Sequence, residues 1–151
     1  VMKQLLATLT LPAVAVISLS TSTVWAQDTI YPAEMTQDDI AGKIFDKPET
    51  SVTGEGEDRI WDITSLKSSD GKPASGLYRA GPSRFEITEP YGVDEFMYFL
   101  EGGVTLTSAD GTVQRIDAGE AVTIPKEWIG VWETEGYMKI WVIYSEDGSG
   151  L

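Results

Sequence analysis

From residue 60 onward, this chain is a succession of short β-type segments separated by turn residues, which limits what it can fold into. The turn signals are Asp70-Gly71, Glu101-Gly102-Gly103, Asp110-Gly111 and Asp117-Ala118-Gly119. No helical period intervenes, so the pattern predicts an all-β fold, either an antiparallel sandwich or a barrel. The nine predicted strands cover residues 60–63, 76–78, 85–88, 96–100, 104–107, 113–116, 121–124, 131–134 and 138–144.

The residues before this succession have a different character. Thr36 and Asp39 have the spacing of a capping box, and Ile40, Ile44 and Phe45 recur at helical intervals, which predicts one short helix. Pro48 and the acidic, glycine-containing stretch 54–58 then predict a linker or an exposed loop. We therefore expect an N-terminal extension over residues 27–58, one domain over 59–145 and a short tail over 146–151.

The first 26 residues have the order of a secretory signal. Lys3 is followed by an uncharged, mostly apolar run over 5–19, and small or polar residues then lead to Ala26. We expect cleavage after Ala26 and a periplasmic or secreted protein without stable membrane insertion. The alternative is an uncleaved anchor, because the uncharged run is long enough to span a bilayer.

Two residue types are missing from the chain. It contains no histidine and no cysteine, which excludes disulfides, thiolate nucleophiles, Ser-His-Asp triads and the commonest transition-metal ligands. Asp and Glu number 24 against 11 Lys and Arg, giving a net charge of −13. Because such a surface repels phosphates, nucleic acid is not an expected partner.

Spaced glycine, glutamate and proline residues connect the chain to a known family. Gly81, Glu95 and Gly102 match the first cupin motif, and Gly119 and Pro125 match the second. Over about residues 60–145 the chain resembles the small cupins related to the ureidoglycine aminohydrolase cupin domain and the ethanolamine-utilisation cupins. The resemblance implies a double-stranded β-helix, that is, a jelly-roll barrel, and a homodimer.

The departures from the cupin motifs concern the metal ligands. The resemblance implies three histidines and one glutamate, but only Glu95 is present. The first two histidine positions hold Glu89 and Tyr91, or the residue before each, and the third holds Gly130. We therefore expect no metal and no cofactor in the barrel.

Strand alternation gives a list of pocket residues. Met97 and Phe99 share the face of Glu95, and Trp128 and Trp132 share the face of Gly130. The tryptophans could equally be barrel core. The candidate ligand-binding residues are Glu89, Met97, Phe99, Trp128, Trp132 and Arg84.

Lys139 is unusual because it lies within the apolar stretch 138–144. Alternation places it on one face with Trp141 and Ile143. We expect it either to extend to solvent at a strand edge or to pair with a carboxylate such as Glu133. The resemblance implies that a lysine recurs at this place.

Two functions from different classes fit these residues. The first is a binding module that holds a small polar or cationic ligand in a metal-free barrel pocket. The second is a metal-independent lyase, isomerase or hydrolase, with Glu95 as general base. Its acid is Tyr91 or Tyr98, of which alternation favours Tyr91, and its electrostatic stabiliser is Lys139 or Arg84. An amidohydrolase of the ureidoglycine type is disfavoured, because the resemblance implies a metal whose ligands this chain lacks.

Overall fold

The computed structural model describes residues 29–150. Residues 32–150 belong to one structural unit, and residues 29–31 belong to a separate N-terminal unit. The predicted signal peptide lies outside the described residues. Among residues 29–150, no helix is both long and apolar enough to cross a membrane.

The domain consists of antiparallel strands, which confirms the predicted all-β class. The short helix α1 (Gln37–Ile40) and two 3-10 turns (Lys43–Asp46 and Gly56–Asp58) are the helical elements of the described residues. The strands are β1 (Ser51–Thr53), β2 (Ile60–Lys67), β3 (Pro73–Ala80), β4 (Ser83–Ile87), β5 (Asp94–Ser108), β6 (Val113–Asp117), β7 (Ala121–Ile124), β8 (Gly130–Thr134) and β9 (Tyr137–Tyr144).

The strands form two layers that share β5. The first half of β5 pairs with β9 and β7, and its second half pairs with β6 and β8. One layer therefore has the order β1-β2-β3-β9-β5-β7, and the other has the order β6-β5-β8-β4. The main core lies between them and consists of Ala80, Met97, Phe99, Val104, Leu106, Ile116, Ile124, Trp132 and Tyr137.

The predicted turn at residues 101–103 is wrong. This segment lies inside β5, where the register with β9 shifts between Phe99 and Glu101. Gly102 has a φ of +64°, and a Cβ there would lie 2.0 Å from the carbonyl oxygen of Gly136. The glycine is therefore needed for a close approach of two backbones where β5 passes from one layer to the other.

Within the N-terminal extension, residues 35–45 pack on the outer face of the first layer. The predicted capping box is present, with the Thr36 side chain accepting from the backbone N–H of Asp39. The helix ends at Ile40 and Gly42 turns the chain, so the predicted apolar repeat is divided between α1 and a 3-10 turn. Ile44 is buried against Ile63 of β2 and Leu77 of β3.

The extension also contains a strand that the sequence pattern missed. β1 pairs with β2 over three residues, from Ser51 opposite Asp62 to Thr53 opposite Ile60. All three β1 residues are exposed, so no alternation of buried and exposed side chains marks this strand in the sequence. It extends the edge of the first layer.

Alternation along β9 separates two faces. Tyr137, Lys139 and Trp141 point between the layers, whereas Met138 and Ile140 point outward. Part of the outer face stays exposed, with Phe96, Tyr98, Val142 and Tyr144 each more than a third accessible. The dimer implied by the resemblance stays a prediction.

Candidate functional site

A cavity of about 260 Å³ lies within the barrel. Thr64 and Phe85 are exposed and form its rim, whereas Glu95 and Lys139 are buried and form its floor. Between the rim and the floor the wall is mainly aromatic. The aromatic lining residues are Tyr78, Phe85, Tyr91, Trp132, Tyr137 and Trp141, and the charged ones are Asp62, Glu95 and Lys139.

Lys139 and Glu95 form a buried ion pair at the floor. Lys139 Nζ lies 2.6 Å from Glu95 Oε1, and the two side chains are 6% and 4% exposed. The same nitrogen lies 2.9 Å from Met97 Sδ. Burial lowers the pKa of Lys139, because the ammonium loses its hydration, while Glu95 opposes this shift.

Of the two environments that the sequence suggested for Lys139, pairing with a carboxylate is present, but the partner is not Glu133. Glu133 lies on β8 with an exposed side chain. Lys139 also does not extend to solvent at a strand edge, because β9 lies between β3 and β5. The register of β9 on β5 brings the amine to Glu95 instead, with Trp141 opposite Met97 and Lys139 opposite Phe99.

Three aromatic rings surround the ammonium of Lys139. The nitrogen lies 5.3 Å from the ring centre of Trp132, 5.4 Å from that of Tyr78 and 5.8 Å from that of Tyr137. These distances are within the range of cation–π attraction. Trp132 Nε1 is buried without a hydrogen-bond partner among the described residues. The cage therefore has one indole donor that is still unsatisfied.

Tyr91 completes a row of three hydrogen-bonded side chains. Its hydroxyl donates to Glu95 Oε2, so both oxygens of Glu95 accept hydrogen bonds. Its backbone N–H donates to the carbonyl of Trp128 at 3.0 Å, which fixes the loop before β5. Burial, together with the charge of Glu95, raises the pKa of Tyr91, so the phenol stays protonated at neutral pH.

Asp62 is a cavity carboxylate that was not predicted from the sequence. It lies on β2 and accepts a hydrogen bond from Trp141 Nε1 at 3.2 Å. Burial raises the pKa of Asp62, despite that hydrogen bond. The available signal was its place between Trp61 and Ile63 in a predicted strand, which is the same signal that marked Lys139.

The other predicted ligand-binding residues lie in three kinds of place. Trp132 lines the cavity, as expected from alternation. Met97 and Phe99 are fully buried in the main core and do not line the cavity. Trp128 packs edge-on against Tyr91 and lines a separate surface groove.

Glu89 and Arg84 also lie outside the cavity. Glu89 lies in the loop after β4 with its side chain exposed. In the pairing of β4 with β8, Phe85 is opposite Trp132 and Arg84 is opposite Glu133, so alternation turns Arg84 away. Arg84 lines a neighbouring pocket outside the cavity.

The residues present do not fit the metal that the fold family implies. Glu95 already accepts a hydrogen bond from the ammonium of Lys139, so this carboxylate is paired with a cation without a metal ion. A Cβ at Gly130 would lie 2.3 Å from the carbonyl oxygen of Thr107, so this position has no room for a ligand side chain. Within residues 29–150, no group of three or more acidic side chains is placed to hold a metal ion.

Two antiparallel layers that share a long strand and enclose a cavity are the architecture of a cupin barrel. The family model of the EutQ-like cupin domain matches residues 67–139. The chain is a small cupin of the EutQ-like group, and the predicted jelly-roll fold is confirmed. A search of curated proteins gives no significant match.

Solved structures show the same fold at low sequence identity. The EutQ protein of Clostridium difficile is 20% identical, with a TM-score of 0.52 over 66% of this chain and 78% of that chain. A protein of unknown function from Rhizobium leguminosarum bv. viciae 3841 is 22% identical, with a TM-score of 0.54 over 78% of this chain and 100% of that one. A DUF861 family protein from Pseudomonas syringae pv. tomato DC3000 is 14% identical, with a TM-score of 0.55, covering 62% and 43%.

Proposed function

We propose that this cupin binds a small polar molecule in the barrel cavity without a metal. The observation that carries the proposal is the Lys139–Glu95 pair, which is buried yet lies at the floor of a cavity. A buried ion pair is often no more stabilising than apolar side chains of the same volume. Charged groups at the bottom of an aromatic cavity are therefore best explained by a ligand that contacts them.

The charges of the cavity favour a polar ligand over a cationic one. Lys139 already fills the aromatic cage that an ammonium ligand would use, so a second cation there would be repelled. An uncharged ligand can instead accept from Lys139 or from the free indole N–H of Trp132, and donate to Asp62. Hydroxyl and carbonyl groups supply this combination.

The size of the cavity favours a small metabolite. Its volume of about 260 Å³ lies just below the usual range for drug-sized ligands, which begins at about 300 Å³. A compound of a few carbon atoms with hydroxyl or carbonyl groups would occupy most of it.

The test is a thermal-shift and calorimetric screen with three sets of small compounds: uncharged polyols and carbonyl compounds, amines, and carboxylates. We expect a saturable shift of the melting temperature with the uncharged set. Ile143→Trp, which fills the cavity from β9, should abolish the shift, whereas Val142→Trp on the outer face of β9 should retain it. Binding that survives Ile143→Trp would contradict the proposal.

A metal-independent proton-transfer enzyme is the second candidate. The hydrogen-bonded row of Tyr91, Glu95 and Lys139 favours it, because it places an acid, a carboxylate and a cation along one wall of the cavity. Since both oxygens of Glu95 accept hydrogen bonds, one bond must break before Glu95 takes a substrate proton. Turnover of a bound compound that is lost in Glu95→Gln would support this function, and turnover unchanged by that variant would exclude Glu95 as the base.

We also propose that residues 1–26 are a cleaved export signal. The support is the basic Lys3, the apolar run and the small Ala26. Protein recovered from the periplasm or medium should begin at Gln27 by intact mass. Recovery only from the membrane fraction, with residues 1–26 retained, would favour the anchor instead.

A further inference from the structure

The hydrogen bonds of Lys139 Nζ hold this amine in place at the cavity floor, which binding of a ligand alone does not require. Two of its three N–H groups donate hydrogen bonds, one to Glu95 Oε1 and one to Met97 Sδ. The nitrogen lies 2.6 Å and 2.9 Å from these two atoms. The third has no hydrogen-bond acceptor among the described residues, and the rings around the nitrogen line the cavity. A ligand that enters the cavity therefore reaches a primary amine whose other bonds fix its position.

We propose that Lys139 forms an imine with a small uncharged aldehyde or ketone bound in the cavity. This inference rests on the proposed function, because the carbonyl compound must first enter the barrel. It adds a covalent step that the binding proposal does not require. Lys139 is the described lysine that lines this cavity, and the other described lysines lie at exposed or partly exposed positions.

The step needs only the groups at the floor. The ammonium passes a proton to Glu95, and the free electron pair of Nζ attacks the carbonyl carbon while the carbonyl oxygen takes a proton. The carbinolamine then loses its hydroxyl as water, with Glu95 and Tyr91 placed to carry protons. In sum, an ammonium and a carbonyl compound give a protonated imine and one water, with no oxidation or reduction.

The site is suited to the product as well as to the amine. The protonated imine keeps one positive charge on the nitrogen, so Glu95 remains its counter-ion and the buried charge does not change. The rings of Tyr78, Trp132 and Tyr137 attract an iminium as they attract the ammonium. The carboxylate of Asp62 in the cavity wall would repel a carboxylate on the carbonyl compound. The expected reactants are therefore uncharged aldehydes and ketones.

Borohydride trapping on the intact protein tests the inference. The protein is incubated with hydroxyacetone or propanal, reduced with sodium borohydride and analysed by intact mass and peptide mapping. We expect one adduct, at Lys139, that saturates with carbonyl concentration and forms at least about tenfold faster than at any other lysine, because binding positions the carbonyl. Pyruvate, which carries a carboxylate, should react more slowly.

Two variants separate the covalent step from binding. Lys139→Met should give no mapped adduct in the barrel, whereas Lys126→Met, which removes an exposed lysine, should label like the wild type. If Lys139→Met does not fold, the wild-type map alone decides. A ligand-induced thermal shift without a Lys139 adduct would overturn the imine and leave the binding proposal intact. Adducts spread over exposed lysines, with no thermal shift, would overturn both.

Discussion

The two faces of β9 differ in a way that separates stability from function. Met138 and Ile140 on the outer face are apolar, and Ile140 packs with residues of the N-terminal extension. Lys139, one position away, carries a charge into the barrel, where it meets Glu95 and three aromatic rings. Burial is nearly complete on both faces at this point, since Met138 is 1% and Lys139 is 5% exposed. The two faces therefore differ in the polarity of their side chains and not in how deeply these are buried.

This contrast shows which of the two faces the fold needs for its stability. An apolar side chain in place of Lys139 would fill the same position without desolvating a charge. On the outer face, the apolar contacts supply stability directly. The following substitutions test whether the two faces can be separated.

Breaking the ion pair should produce the largest effect. Lys139→Met leaves Glu95 as an unpaired buried carboxylate, so we expect a loss of about 3–5 kcal/mol in the free energy of unfolding at neutral pH. Urea denaturation followed by tryptophan fluorescence measures this.

The control is the double variant Lys139→Met with Glu95→Met, which removes both charges. It should regain most of the lost stability while ligand binding stays absent. If the double variant is as unstable as the single one, the pair is needed for folding and the contrast between the faces fails.

Truncation on the outer face should reduce stability without affecting the cavity. Ile44 is 1% exposed and packs on Ile63 and Leu77, so Ile44→Ala should cost about 2–5 kcal/mol. Val52→Ala, at a side chain that is 51% exposed, should stay within about 0.5 kcal/mol. Ligand affinity measured by calorimetry below the unfolding transition should match the wild type in both variants. A change in affinity for Ile44→Ala would show that the faces are coupled.

A smaller effect is expected at Gly130, the position that a metal ligand would occupy in related barrels. Gly130→Ala forces a Cβ against the Thr107 carbonyl oxygen, which should cost about 1–3 kcal/mol. Glu133→Ala, an exposed change on the same strand, should cost less than about 0.5 kcal/mol. A Gly130→His variant that is stable and binds zinc by calorimetry would show that the cavity retains room for a metal site.

Local features of this chain were predictable from the sequence, and pairings across the barrel were not. The capping box depends on Thr36 and Asp39 alone, three residues apart, and it is present. Gly102 and Gly103 predicted a turn, but they lie inside β5. The close approach of Gly136 to Gly102, which only the tertiary structure shows, gives a different reason for the glycine.

The site shows the same limit. Alternation put Glu95, Lys139 and Trp132 on inward faces, but it could not say which carboxylate meets the lysine. That choice depends on the register between β5 and β9, which joins residues 44 positions apart. Asp62 was missed although it interrupts an apolar strand as Lys139 does. A charged residue within a predicted strand was thus a useful signal at both positions.

The smallest expected effect is on how folding stability changes with pH. Asp62 in the cavity and Asp39 in the extension should change it with opposite signs. Burial raises the pKa of Asp62 above its usual 3.8, so the folded state holds this proton more tightly than the unfolded state. The stability contributed by Asp62 is therefore complete below pH 3.8 and is lost as the pH rises through the higher folded value. Hydrogen bonds from Lys47 and Thr36 lower the pKa of Asp39, so its contribution is present above 3.8 and is lost as the pH falls.

Melting temperatures of the wild type, Asp62→Asn and Asp39→Asn between about pH 3 and pH 7 test these opposite signs, because each substitution removes one titration. As the pH rises, the melting temperature of the wild type should fall relative to that of Asp62→Asn. Over the same range it should rise relative to that of Asp39→Asn. Both asparagines keep one acceptor oxygen, for Trp141 in one case and for the Thr36 backbone in the other, while Asp39→Asn also removes the ion pair with Lys47. Slopes of the same sign would mean that the Asp62 carboxylate is hydrated in solution, and that the cavity wall is more open to water than its burial indicates.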